Sequence, residues 1–158
     1  MTMAAAKLGV VVVFHAMQRE APRTLETLSL PYQRGISTAD YEVVAVDNGS
    51  PTPLQLPSLP AGSIRLRHHR EPAGNPSPCA AINRAAAMLD GEYLMVCIDG
   101  ARMLSPGLVR GALDALQSHP HPFVYTLGMH LGPAPQNRSM LDGYDQQAED
   151  RLLDATPW

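Results

Sequence analysis

The stretch Leu8-Gly9-Val10-Val11-Val12-Val13-Phe14 constrains the fold more than any other part of the chain. A β-branched run without polar alternation is what a strand covered on both faces requires. Tyr41 to Val46 and Tyr93 to Ile98 have the same character, and Ser63 to Arg67 and Phe123 to Leu127 read as weaker strands. Helical patterns lie between them. Glu20-Ala21-Pro22 opens one that stops near Gly35, its last turn made irregular by Pro31. Ser77-Pro78 and Ser105-Pro106 each set a cap residue before a proline at the first helical position. Ala81, Ile82, Ala85, Ala86 and Leu89 then share a face, as do Leu108, Val109, Ala112, Leu113 and Leu116. A last helix is read over Arg138 to Leu153, weakened by Gly143. This alternation predicts an α/β fold: an open, mostly parallel sheet with helices on both faces. The 158 residues suit one domain, 1–158.

Composition narrows the function classes. With 45% hydrophobic and 17% charged residues, the chain has the apolar content of a folded domain. A net charge of -3 gives no basic footprint, which argues against a nucleic-acid partner. Cys79 and Cys97 are too few for a disulfide framework and fit a reduced setting. No apolar run approaches the ~20 residues of a membrane span. The run from Leu8 reads as a strand and not as a signal peptide, so the expected location is cytoplasmic. Ser50 to Gly62, with four prolines among leucines, reads as an extended loop. No G-x-G-x-x-G, Walker-type glycine loop or G-x-S-x-G elbow is present. His119-Pro120-His121 reads as loop, and the basic cluster from Arg65 to Arg70 as a solvated strand edge.

Polar residues gather at three strand ends. His15 to Glu20 follows the first strand, Asp47-Asn48-Gly49-Ser50 the second and Asp99-Gly100-Ala101-Arg102 the fourth. If the strand order is 3-2-1-4, all three share one rim. Ligands of open α/β sheets bind there, outside the carboxyl ends of the strands. Strand-end aspartates are also ordinary turn formers, so either one alone is weak.

These segments, in this order, resemble the nucleotide-sugar-binding half of family 2 glycosyltransferases, which have the GT-A fold. Val11 to Glu20 sits where that family has a strand followed by Pro-Thr-Tyr-Asn-Arg. Tyr41 to Ser50 is similar to its strand ending in Asp-Asn-Gly-Ser, and Asn75 to Ala85 to its Ala-Arg-Asn-x-Gly helix start. Gly91 to Asp99 looks like its Gly-Glu-Tyr strand leading into the Asp-x-Asp metal motif. The resemblance covers residues 8 to about 116. It implies a Rossmann-like nucleotide-diphospho-sugar transferase with matched roles. Asp47 would accept from the nucleobase, His15 and Ala16 would pack on the nucleoside, and Asn83 would order the nucleotide loop. Asp99 would hold Mg or Mn against the diphosphate.

Departures limit that transfer of roles. Ala101 replaces the second aspartate of the metal motif, Gly100 is its middle residue, and His15 stands where the family has proline. Arg102 could offer its charge to phosphate instead, or lie at the surface. The family fold is longer than this chain, so the resemblance implies a truncated transferase lacking the acceptor part. Tyr144 to Asp150 is faintly similar to the family's acidic catalytic segment, which makes Asp150 a candidate base against the plainer reading of a solvated helix face. Three readings follow. The first is a glycosyltransferase, or a fragment of one, with an unknown acceptor. The second is a nucleotide-sugar-binding module without turnover. The third is a scaffold that buries an exposed edge in a homodimer.

Overall fold

The computed structural model describes residues 7–158. They form two compact units, one running to Val124 and the other from Tyr125 to Trp158. The first holds an all-parallel sheet of β1 (Leu8–Phe14), β2 (Tyr41–Asn48), β3 (Leu66–Glu71) and β4 (Tyr93–Cys97). Helix α1 (Ala21–Thr27) follows β1, α2 (Cys79–Ala86) follows β3, and α3 (Leu108–Gln117) follows β4. The spatial order is β3-β2-β1-β4, so the chain winds outward from β1 and then returns to its other side. This is the open α/β sheet that the sequence predicts, and the strand order is the one that sets the three polar strand ends side by side.

The valine run explains the layers. Successive strand residues point to opposite faces, so such a run is fully buried only when both faces are covered. Val10, Val12 and Phe14 pack with Leu25, Leu28, Val109 and Leu113, on the face that α1 and α3 cover. Val11 and Val13, with Val44 and Val46 of β2, pack against Ala81 and Ala85 of α2. Every residue of β1 and β2 is buried. Tyr41 extends the first layer; its hydroxyl donates to Leu28 O, and burial pushes its pKa up to about 12.

Some segments differ from the sequence pattern. The third strand lies at Leu66–Glu71 instead of Ser63 to Arg67. It is an outer strand, and its charges are met by pairing instead of being excluded. Glu42 lies 2.9 Å from Arg67 and 3.8 Å from Arg65, and Glu71 lies 2.6 Å from Arg84 and 3.0 Å from His69. Helix α1 stops at Thr27 because Leu30 N–H leaves the helix to donate to Ser63 O, and Pro31 has no N–H to continue it. Phe123 to Leu127 is not a strand. It has the right alternation but no ladder partner, and Phe123 is 88% exposed. The last helical pattern is broken at Gly143, which adopts φ +88°, into α4 (Gln136–Leu141) and α5 (Gln146–Ala155). Asp145 caps α5 by accepting from Ala148 N at 2.8 Å. In the same unit the His130 and Tyr144 rings meet edge-on, with centroids 4.6 Å apart.

The two outer strands have opposite character. β3 is charged, which discourages pairing with another sheet. β4 carries no charged residue and leaves Leu94 and Val96 exposed. Among the described residues no helix is long and apolar enough to cross a membrane.

Leu25 is fully buried between α1 and the sheet. Leu25→Ala is expected to lower the unfolding free energy by about 3 kcal/mol, read from the urea midpoint. Leu94→Ala on the exposed side of β4 is expected to leave that midpoint nearly unchanged.

Candidate functional site

The carboxyl ends of β1, β2 and β4 carry three loops, and a cleft of about 450 Å3 opens among them. Val13 and Ile98 form its apolar wall, and His15, Asn48, Gly49, Gly74 and Asn75 supply backbone and polar groups. It lies where the strand order reverses, on either side of β1.

The loop after β1 turns sharply. Ala16 adopts φ +53°, and its N–H donates to Ser50 Oγ at 2.9 Å. His15 Nδ1 lies 3.0 Å from Asn48 O. A carbonyl only accepts, so Nδ1 is the protonated nitrogen, and in the neutral ring Nε2 remains an acceptor. Asn48 Nδ2 donates to Asn75 O at 2.9 Å, tying the β2 loop to the segment before α2. The two loops touch through their main chains. A Cβ on Gly49, whose φ is +68°, would lie 2.0 Å from Gly74 N.

Asp47 organises this corner from below. It is fully buried, with Oδ1 accepting from Ser50 N at 2.8 Å and Oδ2 from Leu54 N at 2.9 Å. Arg70 Nε lies 3.5 Å from Oδ2. Burial works against the charge, but the hydrogen bonds from Ser50 and Leu54 and the Arg70 guanidinium outweigh it. The carboxyl therefore sits below its usual pKa of 3.8.

The loop after β4 is clamped from the α1 side. Thr24 Oγ1 donates to Gly100 O, and Leu104 N–H donates to Thr27 Oγ1 at 3.0 Å. Gln33 is 2% exposed and makes three bonds. Its Nε2 donates to Thr27 O at 2.8 Å and Ser105 O at 3.0 Å, and its Oε1 accepts from Val109 N at 3.1 Å. Gly100 rests on Phe14, where an added Cβ would come within 2.2 Å of the ring. Asp99 and Arg102 project from this fixed loop. Asp99 Oδ1 accepts from Ala101 N at 3.0 Å, and its Oδ2 lies 3.3 Å from Arg102 Nε.

The structure thus brings His15, Ala16, Asp47, Asp99 and Arg102 to one rim. Asn83 lies on the exposed side of α2 and is not among the residues lining the cleft. Asp150 belongs to α5 in the second unit. Asn48, Asn75 and the buried Thr24, Thr27 and Gln33 were not assigned site roles from sequence. Asn48 was legible only as a turn residue and Asn75 only as the start of the segment leading into a helix, and nothing local marks the other three. Cys97 offers no nucleophile, because burial pushes its thiol up to about 11 and keeps it protonated.

The described residues form no all-protein cage for a divalent cation. Among the described residues no three His, Cys, Asp or Glu side chains converge as metal ligands. Asp99 is the one carboxylate of the motif, and it already faces a guanidinium. Hard divalent ions take about six oxygens, several from carboxylates or from bound phosphate.

No protein-family model matches the chain, and no curated protein matches it. A solved structure does. S. aureus TarS, residues 1–349, superposes with a TM-score of 0.58 at 17% identity, covering 72% of this chain and 33% of that one. The chain thus spans about a third of TarS as solved. The similarity establishes a GT-A/Rossmann-like fold.

Two outcomes are expected. Gln33→Ala removes three buried hydrogen bonds and should cost about 3 kcal/mol in urea unfolding, with amide exchange accelerating at Leu104 and Val109. Asp47→Asn should destabilise the fold by about 1–3 kcal/mol at pH 7. A depressed carboxyl stabilises above its unfolded pKa and loses that contribution as pH falls through the folded value. The gap between wild type and Asp47→Asn should therefore close as pH drops below the usual carboxylate value of 3.8.

Proposed function

We propose that this chain binds a nucleotide-diphosphate sugar at the β1–β2–β4 rim, as the donor-binding part of a glycosyltransferase. The observation that carries this reading is the cleft of about 450 Å3 at the switch point, floored by glycine backbone and ringed by His15, Asn48 and Asn75. Its volume lies within the range of small-molecule sites, and its lining mixes apolar wall with few polar groups. A planar base suits the Val13–Ile98 wall. His15 Nε2 offers it an acceptor. The likeness of fold to S. aureus TarS supports the GT-A/Rossmann-like scaffold that this reading requires.

Within this reading the rim residues divide by role. His15 and Ala16 shape the nucleoside side. Asp47 reaches the ligand through the loop it orders, since both its oxygens are taken by backbone N–H groups. Asp99 directly follows Ile98 of the cleft wall and pairs with Arg102, so this reading gives the diphosphate to that pair. Sugar transfer needs an acceptor hydroxyl to attack the anomeric carbon as the nucleoside diphosphate departs, with a carboxylate taking the hydroxyl proton. The acceptor and the base that serves it are unspecified; Asp150, the candidate base from sequence, belongs to the second unit. A second reading, donor binding without turnover, is favoured by Ala101 in place of a second motif carboxylate.

Calorimetric titration with UDP, GDP and dTDP tests the reading. At least one is expected to bind, and His15→Ala should weaken it about five- to tenfold, the worth of one hydrogen bond and lost ring packing. Absence of binding by all three overturns it. Turnover of a UDP-sugar by wild type would favour transfer over binding alone.

A further inference from the structure

The clamped loop between β4 and α3 points to a specific solution for the diphosphate charge. Its backbone is held at Gly100 and Leu104 by Thr24 and Thr27 and seated on Phe14, so the main chain that carries Asp99 and Arg102 is anchored to the core. Ile98, the residue before Asp99, lines the cleft. Asp99 uses one oxygen on Ala101 N–H and turns the other to Arg102 Nε at 3.3 Å. A guanidinium engaged at Nε keeps the four N–H bonds of its two terminal nitrogens, a planar fork that matches two phosphate oxygens. The Arg102 side chain is about half exposed, at 54%, so a ligand can reach it.

A divalent cation at Asp99 would meet the opposite situation. Ala101 provides no oxygen side chain, and the outer Asp99 oxygen already faces a positive charge. A cation seated there would be repelled by Arg102 or would have to displace it. Resting on the donor-binding reading above, we propose that Arg102 neutralises the diphosphate of the bound nucleotide in place of a divalent metal ion. Asp99 is then a positioning residue that aims the guanidinium, and is not a metal ligand. Arg102 is permanently charged, so the site needs no ion from solution.

Titration of UDP and of uridine into the purified chain, in EDTA and in Mn2+, tests this. Wild type is expected to bind UDP with the same affinity, within twofold, in both buffers. Arg102→Ala should weaken UDP at least tenfold and leave uridine unchanged, and Arg102→Lys should recover part of the loss. Asp99→Asn should weaken UDP a few-fold without creating a metal dependence. A tenfold gain from Mn2+ in wild type that disappears in Asp99→Asn overturns the proposal while leaving donor binding intact. Equal UDP affinity in Arg102→Ala and wild type also overturns it. Failure of wild type to bind uridine or any nucleoside diphosphate overturns both this proposal and the donor-binding reading. Circular dichroism of each variant separates a lost contact from a lost fold.

Discussion

Strand β1 is hydrogen-bonded on both edges and covered on both faces, and the rest of the first unit is arranged around that double confinement. A strand so placed cannot slip by one residue without sending Val10, Val12 and Phe14 to the wrong layer. Its register therefore sets the height of everything at its carboxyl end. Phe14 pairs with Asp47 across to β2, and Val12 with Cys97 across to β4. The three polar loops emerge at nearly the same level for that reason.

Two buried polar systems convert this level rim into a defined site. On the β2 side, the Asp47 carboxylate gathers two backbone N–H groups and a guanidinium. On the β4 side, neutral groups do the equivalent work, with two threonines and Gln33 bonding the main chain of the next loop and the start of α3. Only the first system is sensitive to protons. The cleft thus has one wall whose order depends on an ionised group and one whose order does not.

The layers were legible because burial on both faces leaves a continuous apolar run, and because serine–proline pairs mark the approach to helices. Even so, α2 begins at Cys79 and α3 at Leu108, just beyond those prolines. The order 3-2-1-4 entered the reading only as a condition, because polar strand ends form one rim if those strands adjoin but also serve as ordinary turns if they do not. β3 was displaced in the reading because an outer strand obeys pairing of charges and not alternation. The site was legible as a place and less so as a set of contacts. Sequence marks Asp47 as polar at a strand end, but backbone N–H groups three and seven residues away decide which way the carboxylate turns. The clamp by Thr24, Thr27 and Gln33 spans more than 70 residues of chain, beyond any local pattern.

The meeting of Gly49 and Gly74 shapes how such a cleft can diverge over generations. A Cβ on Gly49 would meet Gly74 N, and one on Gly74 would lie 2.7 Å from Asn48 O, so neither position takes a side chain while the loops keep this approach. That part of the floor is inherited as bare main chain, whatever the ligand. Diversification is channelled to the positions around it, His15, Met17 and Asn75, which carry side chains and line the same space. A lineage built on this scaffold would therefore keep its grip on the shared part of its ligands while changing preference at the margin.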